Sequence, residues 1–278
     1  MILEGLIAGL SRARSFEKAL SFANRNADFS LVDGLRAPLI AGLLSRRSGP
    51  QALLAIVATG RESETLRAAL CSFLPEAEII EFPAWETLPH ERLSPSAETV
   101  GKRVSALRRL KAWSESTDAA RPPVVVVASV RAALQPLADN LTTIEPLTLE
   151  VRGRGYDLPE LSARLVDLAY SRVDMVTRRG EFAVRGGIVD VFSPTDEHPL
   201  RLEFFGDELE QIRPFSVSDQ RSLPDAVESA QLPPSRELLL SPAVRQRARE
   251  MQHEFPGLAQ MLAKIGRASC RERVLWYV

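Results

Sequence analysis

Short apolar runs separated by amphipathic segments dominate the first 130 residues. Three runs, rich in branched side chains, predict buried strands: ALLAIVAT (52–59), AEIIEFP (77–83) and PVVVVAS (123–129). One of the intervening segments predicts a helix that begins with Ser94 as N-cap and Pro95 at the first helical position. Strands that alternate with helices predict a parallel sheet covered by helices.

The pattern changes after residue 130. The segment DLPELSARLVDLAY predicts a helix capped by Asp157, with Glu160 three residues later in a capping-box arrangement. Alternating apolar and polar residues with tight turns follow, and they predict an antiparallel meander. The pair Gly186-Gly187 inside one predicted strand indicates a β-bulge. These features predict a small α+β domain inserted after the first three strands.

The final segment is treated apart from the rest because of its sequence. Its first ten residues, IGRASCRERV, look like the translation of a sequencing-library adapter read through in frame. We therefore expect residues 265–278 to be a non-native tail, and the chain to be the N-terminal piece of a longer protein. A genuine short amphipathic terminus is the alternative.

These patterns divide the chain into four parts. We predict a first domain over 1–130, a second over 131–218, the start of a further segment over 219–264, and the tail over 265–278.

Composition is that of an ordinary globular protein, with 45% hydrophobic and 26% charged residues among 278. No apolar run approaches the roughly 18–20 residues that span a bilayer. Cys71 and Cys270 are too few for a disulfide framework, so we expect a reducing, cytoplasmic setting. The net charge is −1, and it becomes −3 without the tail, which holds three Arg and one Glu. A dedicated nucleic-acid binder would carry a basic surplus, although a local basic patch stays open.

The segment LVDGLRAPLIAGLL (31–44) stands where an α/β nucleotide-binding domain would place a phosphate loop. It lacks Gly-Lys-Ser/Thr, Pro38 has no N–H to offer a phosphate, and no lysine occurs between Lys18 and Lys102. We interpret it as a strand–turn–helix without phosphate chemistry, and ATG (58–60) as the end of a strand. The sequence therefore predicts no cofactor site.

No catalytic or metal-binding constellation is evident. His90, His198 and His253 are scattered, without Cys or His partners at ligand spacing. In FPAWETLPHERLSP (82–95), Trp85 could line a ligand site, but packing of a loop against the core is the favoured alternative.

An arginine cluster is the strongest candidate for function: Arg172, Arg178, Arg179 and Arg185, with Phe182 between them. Alternation in a strand would point Arg185 away from the face shared by Phe182 and Val184. Exposed arginines beside an aromatic residue are typical of interface hot spots. A solvated sheet face with salt bridges fits equally well, the available carboxylates being those of Glu203, Glu208 and Glu210.

Two stretches resemble known families. RRGEFAVRGGIVDVFSP followed by LRLEFFGDELEQIRPF resembles the second domain of the excinuclease subunit UvrB and of transcription-repair coupling factors. FPAWETLPHERLSPSAETVGKRVSALRRL resembles the first domain of both families. UvrB has an intact Gly-Lys-Thr phosphate loop and coupling factors have a degenerate one, so the degenerate segment 31–44 favours the coupling factors. The resemblance covers about residues 20–240.

The resemblance implies an α/β fold. It consists of a parallel-sheet, degenerate P-loop-NTPase-like (UvrB-like) domain with an inserted small α+β domain that carries an antiparallel sheet. In these terms 1–130 is UvrB-like domain 1A, 131–218 is domain 2, the UvrA-interaction domain, and 219–264 is the start of domain 1B.

The resemblance also implies a role. A full-length coupling factor is an ATP-driven translocase on double-stranded DNA that displaces stalled RNA polymerase and recruits UvrA for nucleotide excision repair. This stretch would be a non-enzymatic UvrA-recruiting module, with ATP and Mg used in motor domains that it lacks. The alternative is a UvrB-like excinuclease or helicase subunit with its own ATP site, and a stand-alone DNA-binding domain is a weaker third possibility.

The resemblance assigns a UvrA interface to the second domain. By motif position Arg172 and Arg185 match two contact arginines of the UvrB family, and Phe182 and Arg179 belong to the same predicted surface. A third family arginine corresponds to Ala183 here, so fewer charge contacts are expected.

Overall fold

A computed structural model describes residues 3–23, 25–46, 51–88, 94–138, 141–153, 155–260 and 262–263. Predictions that concern His90, Cys270 and the tail 265–278 lie outside these residues. The chain forms two compact units. The first comprises Met1–Ala84 and Ala106–Pro136, and the second comprises Trp85–Ser105 and Leu137–Val278.

The first unit is built on a three-stranded parallel sheet with the order β1-β3-β2. Its strands are β1 (Ala52–Val57), β2 (Glu78–Phe82) and β3 (Val124–Ser129). Its helices are α1 (Glu4–Leu10), α2 (Arg14–Leu20), a 3-10 turn (Asp33–Leu35), α3 (Arg36–Ser45), α4 (Gly60–Phe73), the second half of α5 (Ala97–Glu115) and α6 (Val130–Leu134). The three predicted strands and their parallel arrangement are confirmed.

The interpretation of LVDGLRAPLIAGLL as a strand–turn–helix is wrong. Leu31 and Val32 form no strand and lead into the 3-10 turn and α3. Helix α3 instead packs its small and apolar side chains against α4 and the sheet, with Ala41 fully buried. The strand–turn–helix of this unit lies at β1, Thr59 and α4.

In the described part of the second unit, two sheets are accompanied by two further α-helices. Its strands are β4 (Leu147–Glu150), β5 (Ser171–Arg172), β6 (Glu181–Arg185), β7 (Ile188–Val191), β8 (Leu200–Phe205), β9 (Glu208–Pro214) and β10 (Ser229–Leu232). Its helices are the first half of α5, α7 (Leu158–Asp167), α8 (Pro242–Glu254) and a 3-10 turn (Pro256–Leu258). Strands β6 to β9 form the predicted antiparallel meander, whereas β5 joins its edge in parallel with β6.

One face of the five-stranded sheet forms the main core of this unit. Phe182, Val189, Leu202 and Ile212 point to this face and pack with Leu165 of α7. Asp157 caps α7 as predicted, accepting a hydrogen bond from the Glu160 backbone N–H at 3.4 Å.

The units do not follow the predicted domain boundaries. Ala97–Ser105 of α5 belongs to the second unit although it precedes β3 in the chain. Strand β10, from the segment predicted to start a third part, pairs antiparallel with β4. Residues 219–232 therefore continue the second unit. The sequence did not predict this pairing, because the partner strand lies about 80 residues earlier and no local pattern indicates it.

Local predictions fail at two places. Helix α5 begins at Ala97, and Ser96 rather than Ser94 accepts the backbone N–H of Thr99 (3.2 Å). Gly186-Gly187 is a two-residue hairpin turn with φ +59° at Gly186, since Arg185 pairs with Ile188. The sheet's irregularity lies instead between Glu203 and Phe204.

A buried ion pair fixes the first half of α5 within the second unit. Arg103 is fully buried, and its Nε lies 2.5 Å from Glu237 Oε1. The Trp85 Nε1–H donates to the same carboxylate oxygen at 2.9 Å, and the Arg103 guanidinium lies 5.2 Å from the Trp85 ring centre. Trp85 is thus engaged by the ion pair of Arg103 and Glu237.

We predict that Arg103→Met destabilises the protein by about 3–5 kcal/mol, because it leaves the Glu237 carboxylate buried without its counter-ion. Urea denaturation followed by circular dichroism measures the change. The matched control is Lys102→Met on the same helix, where the pair with Glu98 is exposed and its loss should cost less than about 1 kcal/mol. Equal losses in the two variants would contradict the prediction.

Candidate protein-interaction surface

The outer face of the five-stranded sheet carries the best-organised polar cluster of the second unit. Strand alternation places Arg185, Asp190 and Arg201 on this face, opposite the core residues. The Asp190 carboxylate is 1% exposed. It accepts from Arg201 Nε at 2.8 Å and Arg201 Nη2 at 3.1 Å, and from Arg185 Nη2 at 2.5 Å.

This cluster leaves one arginine available to a partner. Arg201 is 17% exposed, stacks over the Phe215 ring at 4.8 Å, and its hydrogen bond with Asp190 raises the pKa of its guanidinium. The side chain of Arg185 is 52% exposed, so one edge of its guanidinium is fixed by Asp190 while the rest faces outward. The prediction that Arg185 points away from the face of Phe182 and Val184 is confirmed.

Two exposed apolar residues lie on the same face. Ile188 is 37% exposed at the start of β7, and Phe205 is 76% exposed at the end of β8. Neither was predicted as a site residue. The signal was present in LRLEFF, where alternation points Phe204 to the core and Phe205 outward.

Phe182 is misassigned as an interface residue. Its side chain is fully buried in the main core of the second unit, packed among the inward residues of β7 and β8. It offers no surface to a partner, because the strand period of two that exposes Arg185 buries Phe182.

Arg172 is exposed but does not lie on the same face of the sheet as Arg185. It lies on the edge strand β5, and the parallel pairing sets it beside Phe182. The side chains of paired residues point to the same face of a sheet. The side chain of Arg172 therefore lies on the face of Phe182 and not on the outer face of Ala183 and Arg185.

Arg179 is largely engaged inside the second unit. Its Nε donates to the Asp196 carbonyl at 3.1 Å, its Nη1 lies 3.3 Å from Glu98 Oε2, and its guanidinium lies 4.9 Å from the Phe192 ring centre. With 30% of its side chain exposed, it serves mainly as an anchor.

Side chains of the chain itself occupy the start of α4, which follows β1 in the strand–turn–helix of the first unit. The side chain of Thr59 caps α4 by accepting the Glu62 N–H at 3.2 Å, and its hydroxyl lies 3.2 Å from Glu62 Oε1. The other Glu62 oxygen pairs with Arg36 Nη1 at 3.1 Å. A carboxylate therefore occupies the end of α4 that would attract a phosphate.

Across the described ranges, no cluster of three or more His, Cys, Asp or Glu side chains is arranged to hold a metal ion. Within the same ranges, none of the helices combines the length and apolarity needed to cross a bilayer.

Comparison with known proteins places this surface in a named domain. Residues 147–238 match the model of the UvrB interaction domain. The matched range includes all strands from β4 to β10. The chain is 45% identical over 273 residues to the transcription-repair-coupling factor of Mycobacterium bovis, an alignment that covers 95% of this chain and 22% of that protein.

More distant relatives carry the same name. The transcription-repair-coupling factor of Bacillus subtilis is 31% identical over 88% of this chain, and that of Escherichia coli is 28% identical over 72%. These alignments cover 21% and 16% of the two relatives, so the chain spans about a fifth of the length of the curated proteins it matches. The chain belongs to the transcription-repair coupling factor family and carries its UvrB interaction domain.

Proposed function

We propose that this chain is the UvrA-recruiting region of a transcription-repair coupling factor, and that UvrA docks on the outer face of the five-stranded sheet. The observation that carries the proposal is Arg185, half exposed and held by a buried carboxylate within the UvrB interaction domain. No reaction is assigned to this stretch, which acts by binding.

The physical basis is preorganisation. Arginine offers a planar, permanently charged fork that can bind a carboxylate bidentately. A flexible arginine loses side-chain entropy on binding, at about 0.5–1.5 kcal/mol for each immobilised side chain. Asp190 restrains Arg185 before a partner arrives.

The apolar neighbours complete an interface of ordinary composition. Ile188 and Phe205 add apolar area on the same outer face as Arg185. Interface hot spots combine arginine with aromatic and aliphatic anchors from which water is excluded on binding. Ala183 is 1% exposed, so it adds no contact where the UvrB family has an arginine.

For the whole protein we propose the activity of its family. It would use ATP and Mg to translocate on double-stranded DNA, displace stalled RNA polymerase and act in the cytoplasm, through parts outside this stretch. The carboxylate of Glu62 at the start of α4 supports placing ATP use elsewhere. The same carboxylate, together with the named relatives, disfavours the alternative of a UvrB-like subunit with an ATP site in this region.

We predict that Arg185→Ala weakens binding of UvrA from Mycobacterium bovis, the organism of the 45% identical relative, at least about tenfold, because it removes an oriented charged contact. Isothermal titration calorimetry of the full chain measures the affinity. The matched control is Arg164→Ala, which removes the same charge from the exposed side of α7 and should leave binding unchanged. An undiminished affinity for Arg185→Ala would refute this interface, and no binding by the unaltered chain would refute the proposed function.

We also predict that millimolar ATP with Mg shifts the thermal unfolding midpoint of the chain by less than about 1 °C, because a ligand stabilises a protein only by binding its native state. Differential scanning fluorimetry provides the measurement, with buffer and Mg alone as controls. A stabilisation that grows with ATP concentration would support the UvrB-like alternative.

A further inference from the structure

The turn Thr177–Gly180, which ends the connection between β5 and β6, is held more tightly than a surface turn requires. The Glu181 carboxylate oxygen Oε2 accepts the backbone N–H groups of Thr177 and Arg178, both at 2.9 Å. It also accepts the Thr177 hydroxyl at 3.3 Å. One side chain thus satisfies three donors of the turn and fixes its path.

Gly180 closes the turn in a conformation that favours glycine. Its φ is +82°, and a Cβ there would lie 3.0 Å from Ala97 Cβ and 3.1 Å from Ser235 Cβ. Its backbone N–H donates to the Phe192 carbonyl at 2.7 Å, and its carbonyl accepts from Ser171 N at 2.8 Å. The turn therefore packs closely at its base and lies against the edge strand β5.

Arg179 anchors the turn to α5. Besides its bond to the Asp196 carbonyl, it reaches Glu98 in the first turn of that helix. A hydrogen bond from Lys102 and the charges of Lys102 and Arg179 lower the pKa of Glu98, so its carboxylate stays ionised for this contact. The helix is itself fixed, because a Cβ on Gly101 would lie 2.5 Å from Pro194 Cβ.

These hydrogen bonds hold the backbone of the turn in place, and the side chain of Arg178 extends from it. Arg178 is exposed, and within the described ranges its guanidinium has no carboxylate partner. Arg172, on the adjacent edge strand, is also exposed and equally unpaired among the described residues. The exposed Asp174 carboxylate between them in sequence pairs with neither arginine. Two exposed arginines without a direct ion-pair partner on this edge can bind acidic groups of a partner surface.

We propose that Arg178 is a contact residue for an acidic group of UvrA, presented by the 177–180 turn, and that Arg179 and Glu98 are positioning residues for it. The proposal rests on the proposed function and extends the interface from the outer face of the sheet to its β5 edge. It assigns different roles to adjacent arginines: Arg178 binds the partner and Arg179 holds the turn.

The test is affinity for Mycobacterium bovis UvrA, measured by calorimetry with the full chain. We expect Arg178→Ala to weaken binding at least about fivefold and Arg178→Glu to weaken it further, because the latter reverses the charge. The side chain is exposed, so the thermal midpoint of both variants should match that of the parent. The control Arg164→Ala should bind like the parent.

The positioning role has its own readout. Glu98→Gln should weaken binding in the parent but produce no further loss in an Arg178→Ala background, because it acts through Arg178. Equal losses in both backgrounds would overturn the positioning role. If Arg185→Ala weakens binding while Arg178→Ala and Arg178→Glu do not, the β5-edge contact is refuted and the proposed function stands.

Discussion

A buried carboxylate in the middle of a sheet sets the geometry of the proposed interface. Asp190 is 1% exposed, and an ionised carboxylate in such a place is strongly destabilising unless charged donors surround it. Arg201 supplies two hydrogen bonds and is itself largely covered. Arg185 supplies a third and stays half exposed. The orientation of the arginine offered to a partner thus follows from the need to stabilise Asp190.

The same strand serves both stability and recognition because its side chains alternate. Along β6, Phe182 enters the core while Arg185 leaves on the outer face. A one-residue slip of register would exchange the two faces, burying charge and exposing the aromatic ring. The tight hairpin at Gly186 opposes such a slip by fixing the pairing of Arg185 with Ile188. Interface geometry and core packing are therefore specified together.

Much of the fold could be predicted where the signal is local. The valine run 123–129 lies at the sheet centre as β3, and Asp157 caps α7, because burial and capping depend on neighbouring residues. The pairing of β4 with β10 could not be predicted in this way, since it joins segments about 80 residues apart. The Ser94-Pro95 pair has the composition of a helix start, whereas the helix begins two residues later, where Ser96 accepts the Thr99 N–H.

The proposed interface, like the fold, could be predicted from the sequence only in part. Alternation alone gives the outward direction of Arg185, and it also shows that Phe182 faces inward. What remained hidden was the partner of Arg185. Glu203, Glu208 and Glu210 were the expected carboxylates, whereas the structure uses Asp190, which lies within an apolar strand and is diagonal to Arg185 across a hairpin. A buried acid in such a strand is itself a signal that charged partners must lie nearby.

The start of helix α4 in the first unit is occupied by side chains of the chain itself. A phosphate site needs free N–H groups and a positive end at the start of the helix after the first strand. Here the Thr59 hydroxyl takes one of those N–H groups, and the Glu62 carboxylate adds a negative charge at the same end. Arg36 stabilises that carboxylate in place. The cap therefore stabilises α4 by the same interactions that would oppose a phosphate bound at this position.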